Sequence, residues 1–198
     1  MAAHRKTRRQ EILAGAAVCF ARKGFHQASM QDICSAAEIS PGGLYRYFKG
    51  KEAIIAAIIA EDRECTAKLL RPLPDADDVR EALLDLIDPA IAELDDSNKF
   101  AMHIEVLAEA IRNPTITQLV RDSYAEAARL IATALRTAQR RKQVQLQLGA
   151  AAVAEIIVAQ IDGLWWRKAL HPDTDLKRSC SALKALIRLL VRTPNDQP

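Results

Sequence analysis

No stretch of about 18 apolar residues free of charge occurs in this sequence, which excludes a membrane-spanning helix. The opening residues Met1-Ala2-Ala3-His4-Arg5-Lys6 are followed by further charges through Glu11, so the apolar run of a secretory signal is missing as well. Cysteine is sparse: Cys19, Cys34, Cys65 and Cys180 stand far apart with no CxxC pair. That spacing offers no local pair of zinc ligands and predicts small, buried, reduced thiols in a cytoplasmic protein without metal or cofactor. No run alternates apolar and polar residues over a strand length, and neither an internal repeat nor a low-complexity tract is present. Enzyme signatures are missing too. There is no glycine-rich phosphate loop after a strand, no GxSxG and no HExxH, and His4, His26, His103 and His171 are scattered without a nucleophile beside them. An enzyme is not expected.

What is present is a chain of 198 residues, 49% apolar, long enough for one large or two small domains around buried cores. Its charge is unevenly placed. Residues 1–51 hold nine Lys and Arg against three acids, whereas the remainder holds 19 against 22. A basic head on a slightly acidic body points to a polyanionic partner for the head alone. The basic N-terminus lacks the interleaved bulky apolar residues of a membrane-surface helix, so no membrane partner is expected.

Helical spacing runs throughout. The first helix covers about Arg5 to Lys23, with Ile12, Leu13, Ala16, Ala17 and Phe20 on one face. It closes on Arg22-Lys23-Gly24: basic residues suit the negative helix end, and glycine suits the left-handed cap. Ser29-Met30-Gln31-Asp32 has the pattern of a capping box and opens a second helix that ends near Ala37. Ser40 as cap and Pro41 at the first position open a very short third helix, through Phe48. A fourth follows Lys49-Gly50-Lys51, its apolar face being Ile54, Ile55, Ile58, Ile59, Cys65 and Leu69. Later helices are expected over about Asp77–Leu94, with a kink at Pro89, and after Ser97 as cap, ending before Asn113-Pro114. Three more cover Pro114–Lys142, Gly149–Leu170, which is apolar on most sides and so buried on several, and Asp175–Arg192. The tail Thr193–Pro198 should fray. The fold class is therefore all-α with about nine helices. A basic three-helix domain (1–52) precedes a longer helical domain (53–198).

Two short helices joined by a tight turn amid basic residues have helix-turn-helix geometry. Leu44 and Phe48 are i, i+4 partners that should point inward with Ile33, Ala37 and Ile39, onto Ile12, Ala16 and Phe20. Tyr45, Arg46 and Tyr47 are then left to face the DNA. Gly42 and Gly43, adjacent in so short a helix, cost roughly 1 kcal/mol each relative to Ala. We read them as a close backbone approach to DNA, or as a recognition helix that firms up when bound.

The stretch Ser29-Met30-Gln31-Asp32-Ile33 through Ile39-Ser40-Pro41-Gly42-Gly43-Leu44-Tyr45-Arg46-Tyr47-Phe48-Lys49-Gly50-Lys51-Glu52 closely resembles the DNA-binding domain of the TetR (tetracycline repressor) family. The resemblance covers about residues 8–60. Further on, Glu109-Ala110-Ile111-Arg112-Asn113-Pro114 and Asp162-Gly163-Leu164-Trp165 look like the C-terminal type of BetI-like members. The resemblance implies a homodimer on a palindromic double-stranded operator, usually repressing, and released by a small-molecule effector. It implies DNA contacts from Ser29, Met30, Gln31, Ser40, Pro41, Gly42, Gly43, Tyr45, Arg46 and Tyr47, and a phosphate held at Lys51. One position departs from the family: Glu38 stands where a turn glycine is usual, and a left-handed conformation there would be strained.

The last two helices are the expected dimer interface, pairing with their mates as a four-helix bundle. Candidates for an effector pocket between helices are Phe100, Met102, His103, Glu105, Tyr124, Gln160, Asp162, Trp165 and Trp166. Asp162 in an apolar helix needs a partner, with Arg112, Arg129 or a cationic ligand as the options. Trp165 and Trp166 cannot both face one way. The competing reading is a ligand-independent, architectural DNA-binding protein.

Overall fold

The computed structural model describes residues 2–196, and the side chains of residues 8–194 and 196. Met1, Gln197, Pro198 and the His4 side chain lie outside the described residues. Nine α-helices occur among those described: α1 Ala2–Lys23, α2 Met30–Ala36, α3 Pro41–Tyr45, α4 Lys51–Leu70, α5 Val79–Ala92, α6 Ser97–Ala110, α7 Pro114–Arg140, α8 Ala150–Leu170 and α9 Leu176–Leu190. The all-α expectation holds. A two-residue ribbon, β1 (Gln145–Leu146) antiparallel to β2 (Val191–Arg192), was not expected, since two residues are too few to show a strand period. Among the described residues, no helix is long and apolar enough to cross a membrane.

The chain packs as two compact units. One holds the residues up to Arg63 together with Asp96–Arg121, and the other holds Glu64–Asp95 with the residues from Asp122 on. In the first unit α6 lies against α1, and α1 against α2. Its core is built from Ile12, Ala16 and Phe20 of α1, Ile33, Leu44 and Phe48, Ile54 and Ile55 of α4, and Met102 and Ile116. In the second, α5 and α8 both pack on α9. Leu84, Ile87, Leu135, Val153, Ile157, Leu183 and Ile187 form its centre.

Several boundaries and faces differ from expectation. α5 starts at Val79 because the Asp78 carboxylate accepts the N–H groups of Arg80 and Glu81, both at 3.0 Å. α6 is capped by Asp96, not Ser97: one carboxylate oxygen takes the Asn98 and Lys99 amides at 3.0 and 3.1 Å. On α4 the buried stripe passes from Ile55 and Ile59 to Ala67 and Leu70, which leaves Cys65 exposed and Leu69 58% exposed. α8 buries one side, through Val153, Ala154, Ile157 and Trp165, whereas Ala152, Ala159, Gly163, Trp166 and Leu170 face outward. The tail does not fray through residue 196. Val191 and Arg192 pair with β1, and Asp196 accepts the Thr193 N–H at 2.7 Å and pairs with Arg80.

Candidate nucleic-acid interface

α1 ends where Gly24 turns left-handed (φ 76°) and its N–H reaches the Phe20 carbonyl at 2.8 Å. Phe25 then folds back onto Phe20, their ring centres 5.3 Å apart. The capping box of α2 is complete: Ser29 Oγ accepts the Asp32 N–H at 3.1 Å, and Asp32 Oδ2 accepts the Ser29 N–H at 3.0 Å. Lys23 at 2.6 Å, joined by the Ser29 bonds, holds the Asp32 carboxyl far below the usual carboxylate range. A carboxyl depressed in the fold contributes stability above its ordinary range and loses it only in strong acid. Burial, reinforced by the nearby Asp32 charge, pushes the Cys19 thiol up, so it stays protonated.

The turn between α2 and α3 is tight. Ala37 caps α2. Glu38 does adopt the left-handed conformation (φ 49°), although it is not glycine. Arg8 holds it there, donating to the Glu38 carbonyl at 2.7 Å. Ser40 caps α3 by accepting the Gly43 N–H at 3.2 Å. α3 itself stops at Tyr45, short of the expected Phe48: two glycines in five residues support little helix, and a turn from Leu44 to Tyr47 and Phe48 completes the segment. Leu44 is fully buried and Phe48 nearly so, with the Arg9 guanidinium 5.3 Å from the Phe48 ring centre.

With that side locked inward, Ser29, Gln31, Ser40, Pro41, Gly42, Tyr45 and Arg46 are exposed, Tyr45 to 55%. Met30, Gly43 and Tyr47 are half-buried. Tyr47 packs on the core and does not stand clear of it. The two glycines differ in kind. A Cβ on Gly43 would come within 2.8 Å of Ile39 Cγ1, whereas one on Gly42 would meet nothing within 4 Å. Close packing therefore accounts for Gly43 and leaves Gly42 unexplained by the fold. Lys51, first residue of α4, donates to the carbonyls of Phe25 (2.7 Å) and His26 (3.1 Å), and its ammonium lies 4.9 Å from the centre of the Phe25 ring.

The proposed effector residues divide between the units. Phe100, Met102, His103 and Glu105 belong to the first, and Tyr124, Gln160, Asp162, Trp165 and Trp166 to the second. Met102 is a core residue, and Glu105 accepts the Phe25 N–H at 2.9 Å. Of the second group the structure joins Tyr124 and Asp162: the phenol donates to Asp162 Oδ1 at 2.7 Å. Asp162 thus has a tyrosine among its partners, while Arg129 lies 3.8 Å from Glu126. Trp165 is buried and Trp166 is 41% exposed, as two neighbours on a helix must divide. Gln160 is exposed.

The sequence model described as "Bacterial regulatory proteins, tetR family" matches residues 12–58, and that of the "BetI-type transcriptional repressor, C-terminal" matches residues 79–192. The chain belongs to the TetR family. It is a helix-turn-helix, DNA-binding regulator of transcription and not an enzyme. Among its TetR-family relatives, the HTH-type transcriptional regulator UidR of Escherichia coli is 30% identical over 76% of each chain. Salmonella enterica GusR superposes with a TM-score of 0.76 at 28% identity, over 93% of this chain and 95% of that one. SmeT, the repressor of the Stenotrophomonas maltophilia multidrug efflux pump SmeDEF, has a TM-score of 0.81 at 21% identity, over 96% and 93%, which is a likeness of fold. SmeT has also been solved as its triclosan complex.

Sequence reasoning missed Glu109. Its position was legible, since Met102, Val106 and Glu109 fall on one face of α6 at helical spacing, yet a carboxylate on an apolar face went unremarked. It is 6% exposed, with the Asn113 amide donating to Oε1 at 3.2 Å and His26 Nε2 3.1 Å from Oε2. His26 keeps a 65% exposed side chain but has this buried neighbour.

Proposed function

We propose that the protein represses transcription in the cytoplasm by binding a palindromic operator as a homodimer, and that a small molecule in its C-terminal helices releases it. The observation that carries the reading is the sidedness of residues 40–48. Leu44 and Phe48 are anchored in the core, while Ser40, Pro41, Gly42, Tyr45 and Arg46 form one solvent-facing surface. A recognition helix enters the major groove by such a surface, with base edges read by a few long side chains. Arg46, and Gln31 at the start of α2, are those readers. Ser29, Met30, Tyr45 and Tyr47 meet the backbone and set register. Lys51 uses two of the three N–H groups of an ammonium on Phe25 and His26, and the third is left for a phosphate.

The dimer reading is supported by the outward faces of the last two helices. Ala152, Ala159, Gly163, Trp166 and Leu170 on α8 share one helical face, as do Ala182, Ala185 and Leu189 on α9. Leu170 is 75% and Leu189 61% exposed in the single chain. A second copy packed about a two-fold axis covers them, the small residues allowing close approach. The effector reading is supported by Tyr124 and Asp162, a half-buried polar pair that joins α7 to α8, and a cationic ligand is the chemistry that suits the carboxylate.

The test is a set of variants assayed on a duplex selected by the wild type from fragmented genomic DNA and on unrelated DNA. Tyr47→Phe keeps the ring in its packing and removes the hydroxyl, and Lys51→Ala removes a cation. Each should weaken binding to every sequence by several-fold and leave preference intact. Arg46→Ala should cost about 1–3 kcal/mol on the selected duplex and relax its base preference. Wild-type affinity in all three would overturn the docking.

A further inference from the structure

The residue that turns the chain from α2 toward α3 is a glutamate in a conformation that suits glycine. Glu38 has φ 49°, where a Cβ is crowded by the carbonyl that follows it. It stands one residue past the Ala37 cap, in the pattern that closes a helix with two reversed bonds. The Ile39 N–H reaches the Cys34 carbonyl at 3.0 Å, and the Glu38 N–H reaches that of Ser35 at 3.4 Å. The direction in which the chain leaves α2, and so the angle at which Ser40 opens α3, is set here. What holds the residue comes from α1. Arg8, Ile12 and Gly15 lie along one face of that helix. Gly15 lets the α1 backbone come so close that a Cβ there would stand 2.8 Å from Ala37 Cα. Two turns earlier, one terminal nitrogen of Arg8 donates to the Glu38 carbonyl at 2.7 Å, and the other donates to the Glu11 carboxylate at 2.6 Å. A guanidinium bond is charge-assisted, and this one fixes the peptide plane that leads from Glu38 into Ile39. Arg8 is one of the nine cations of the basic head, yet both its terminal nitrogens are occupied within the chain.

We propose that Arg8 is a positioning residue for DNA binding: it holds the turn at Glu38 in the left-handed form without a glycine, and so fixes α3 relative to α2, without itself contacting a phosphate. Two consequences separate this role from that of an ordinary cation in a basic head. The first lies in residue 38. Glycine adopts the left-handed form without penalty, so Glu38→Gly makes the Arg8 bond dispensable. Glu38→Gln removes the charge but keeps the Cβ, so Arg8 is still needed. The second lies in the response to salt. Removing a phosphate contact lowers the slope of log affinity against log salt by about one, whereas removing a positioning residue leaves the slope unchanged. The Arg8–Glu11 pair lies at the surface and contributes little, and its loss is common to every background in which Arg8 is replaced.

Because this role rests on residues 40–48 facing DNA, the test has two arms. Affinity for the selected duplex is measured across a salt series, well below the melting temperature of each variant. Arg8→Ala is introduced into the wild type, into Glu38→Gln and into Glu38→Gly. It should cost about fivefold, roughly 1 kcal/mol, in the first two and less than about twofold beside Glu38→Gly. The salt slope should be the same with and without Arg8. No loss in the wild-type background would overturn the proposal. An equal loss in all three backgrounds, or a slope lower by about one, would also overturn it and make Arg8 a phosphate contact. The second arm needs no DNA. Hydrogen exchange of the Ile39 amide, corrected for intrinsic rate, should be about fivefold faster in Arg8→Ala than in the wild type, following the opening of its bond to Cys34. Beside Glu38→Gly the same substitution should leave that rate unchanged. Exchange at Ile39 that ignores Arg8→Ala in the wild-type background refutes the hold. If the wild type binds no duplex, the functional reading fails, and the exchange arm still decides on Arg8.

Discussion

Gly42→Ala will make the protein more stable and weaken its hold on the operator tenfold or more. A Cβ at this position meets nothing within 4 Å, so the fold accepts it without strain. Alanine loses less backbone entropy than glycine on entering a helix, a difference of about 0.5–1 kcal/mol. For a chain of this size that raises the melting temperature by about 2–3 °C. The same open space is where DNA must come if the backbone of α3 approaches it closely. A methyl group at such a contact should cost tenfold or more in affinity, which is 1.4 kcal/mol by the usual conversion. Gly43→Ala serves as the contrast. Its Cβ would crowd Ile39 Cγ1 at 2.8 Å and Ser40 Oγ at 3.1 Å, so it should lower stability along with binding. Thermal melts and titrations of the selected duplex read both quantities. If Gly42→Ala bound DNA like the wild type, close approach at α3 would be wrong.

Gly15→Val will strongly destabilise the N-terminal unit. A Cβ on Gly15 would lie 2.8 Å from Ala37 Cα and 2.9 Å from Ala37 N. Both are backbone atoms, so no side chain can swing aside, and the whole C-terminal end of α2 has to move off α1. Overpacking of this kind costs about 1–3 kcal/mol, and valine adds two methyl groups to the clash. The movement also strips cover from Ile33 and Ala37, which are buried against α1. We expect a loss of about 3 kcal/mol or more, a large share of the 5–15 kcal/mol typical of a folded protein. The denaturant midpoint measures it, and operator binding should fall with it because α2 and α3 move together. An unchanged midpoint would mean that α1 and α2 do not pack as described.

The reading head was largely legible because its determinants are local. Gly24 as a left-handed cap, Ser29 and Asp32 as a reciprocal box, and Leu44 with Phe48 as an inward pair all act within four residues of sequence. The strain at Glu38 was legible as a departure from the resembled family. Its relief was not, because Arg8 arrives from 30 residues away. The end of α3 was overrun because the apolar pair Leu44 and Phe48 continues the helical period one turn beyond the point where Gly42 and Gly43 can support a helix. Tertiary partners account for most of the remainder. Nothing near Glu105 says that it belongs to the turn at Phe25, 80 residues earlier, and so it was placed in a pocket. α8 is apolar on most sides, and its sequence cannot say that one face is covered within the chain while Trp166 and Leu170 are left outward. Asp162 was recognised as needing a partner, but the choice of Tyr124 depends on how α7 and α8 align.

The central claim, that this chain is a dimeric reader of a symmetric DNA site, is tested most directly by selection. Purified protein is incubated at moderate salt with fragmented genomic DNA from its own source, and the retained fragments are sequenced. Enrichment of an inverted repeat is the predicted result, its half-sites about one helical turn or a multiple of it apart, with retention falling steeply as salt rises. Folded protein that retains fragments with no shared inverted repeat, or none at all, would contradict the account.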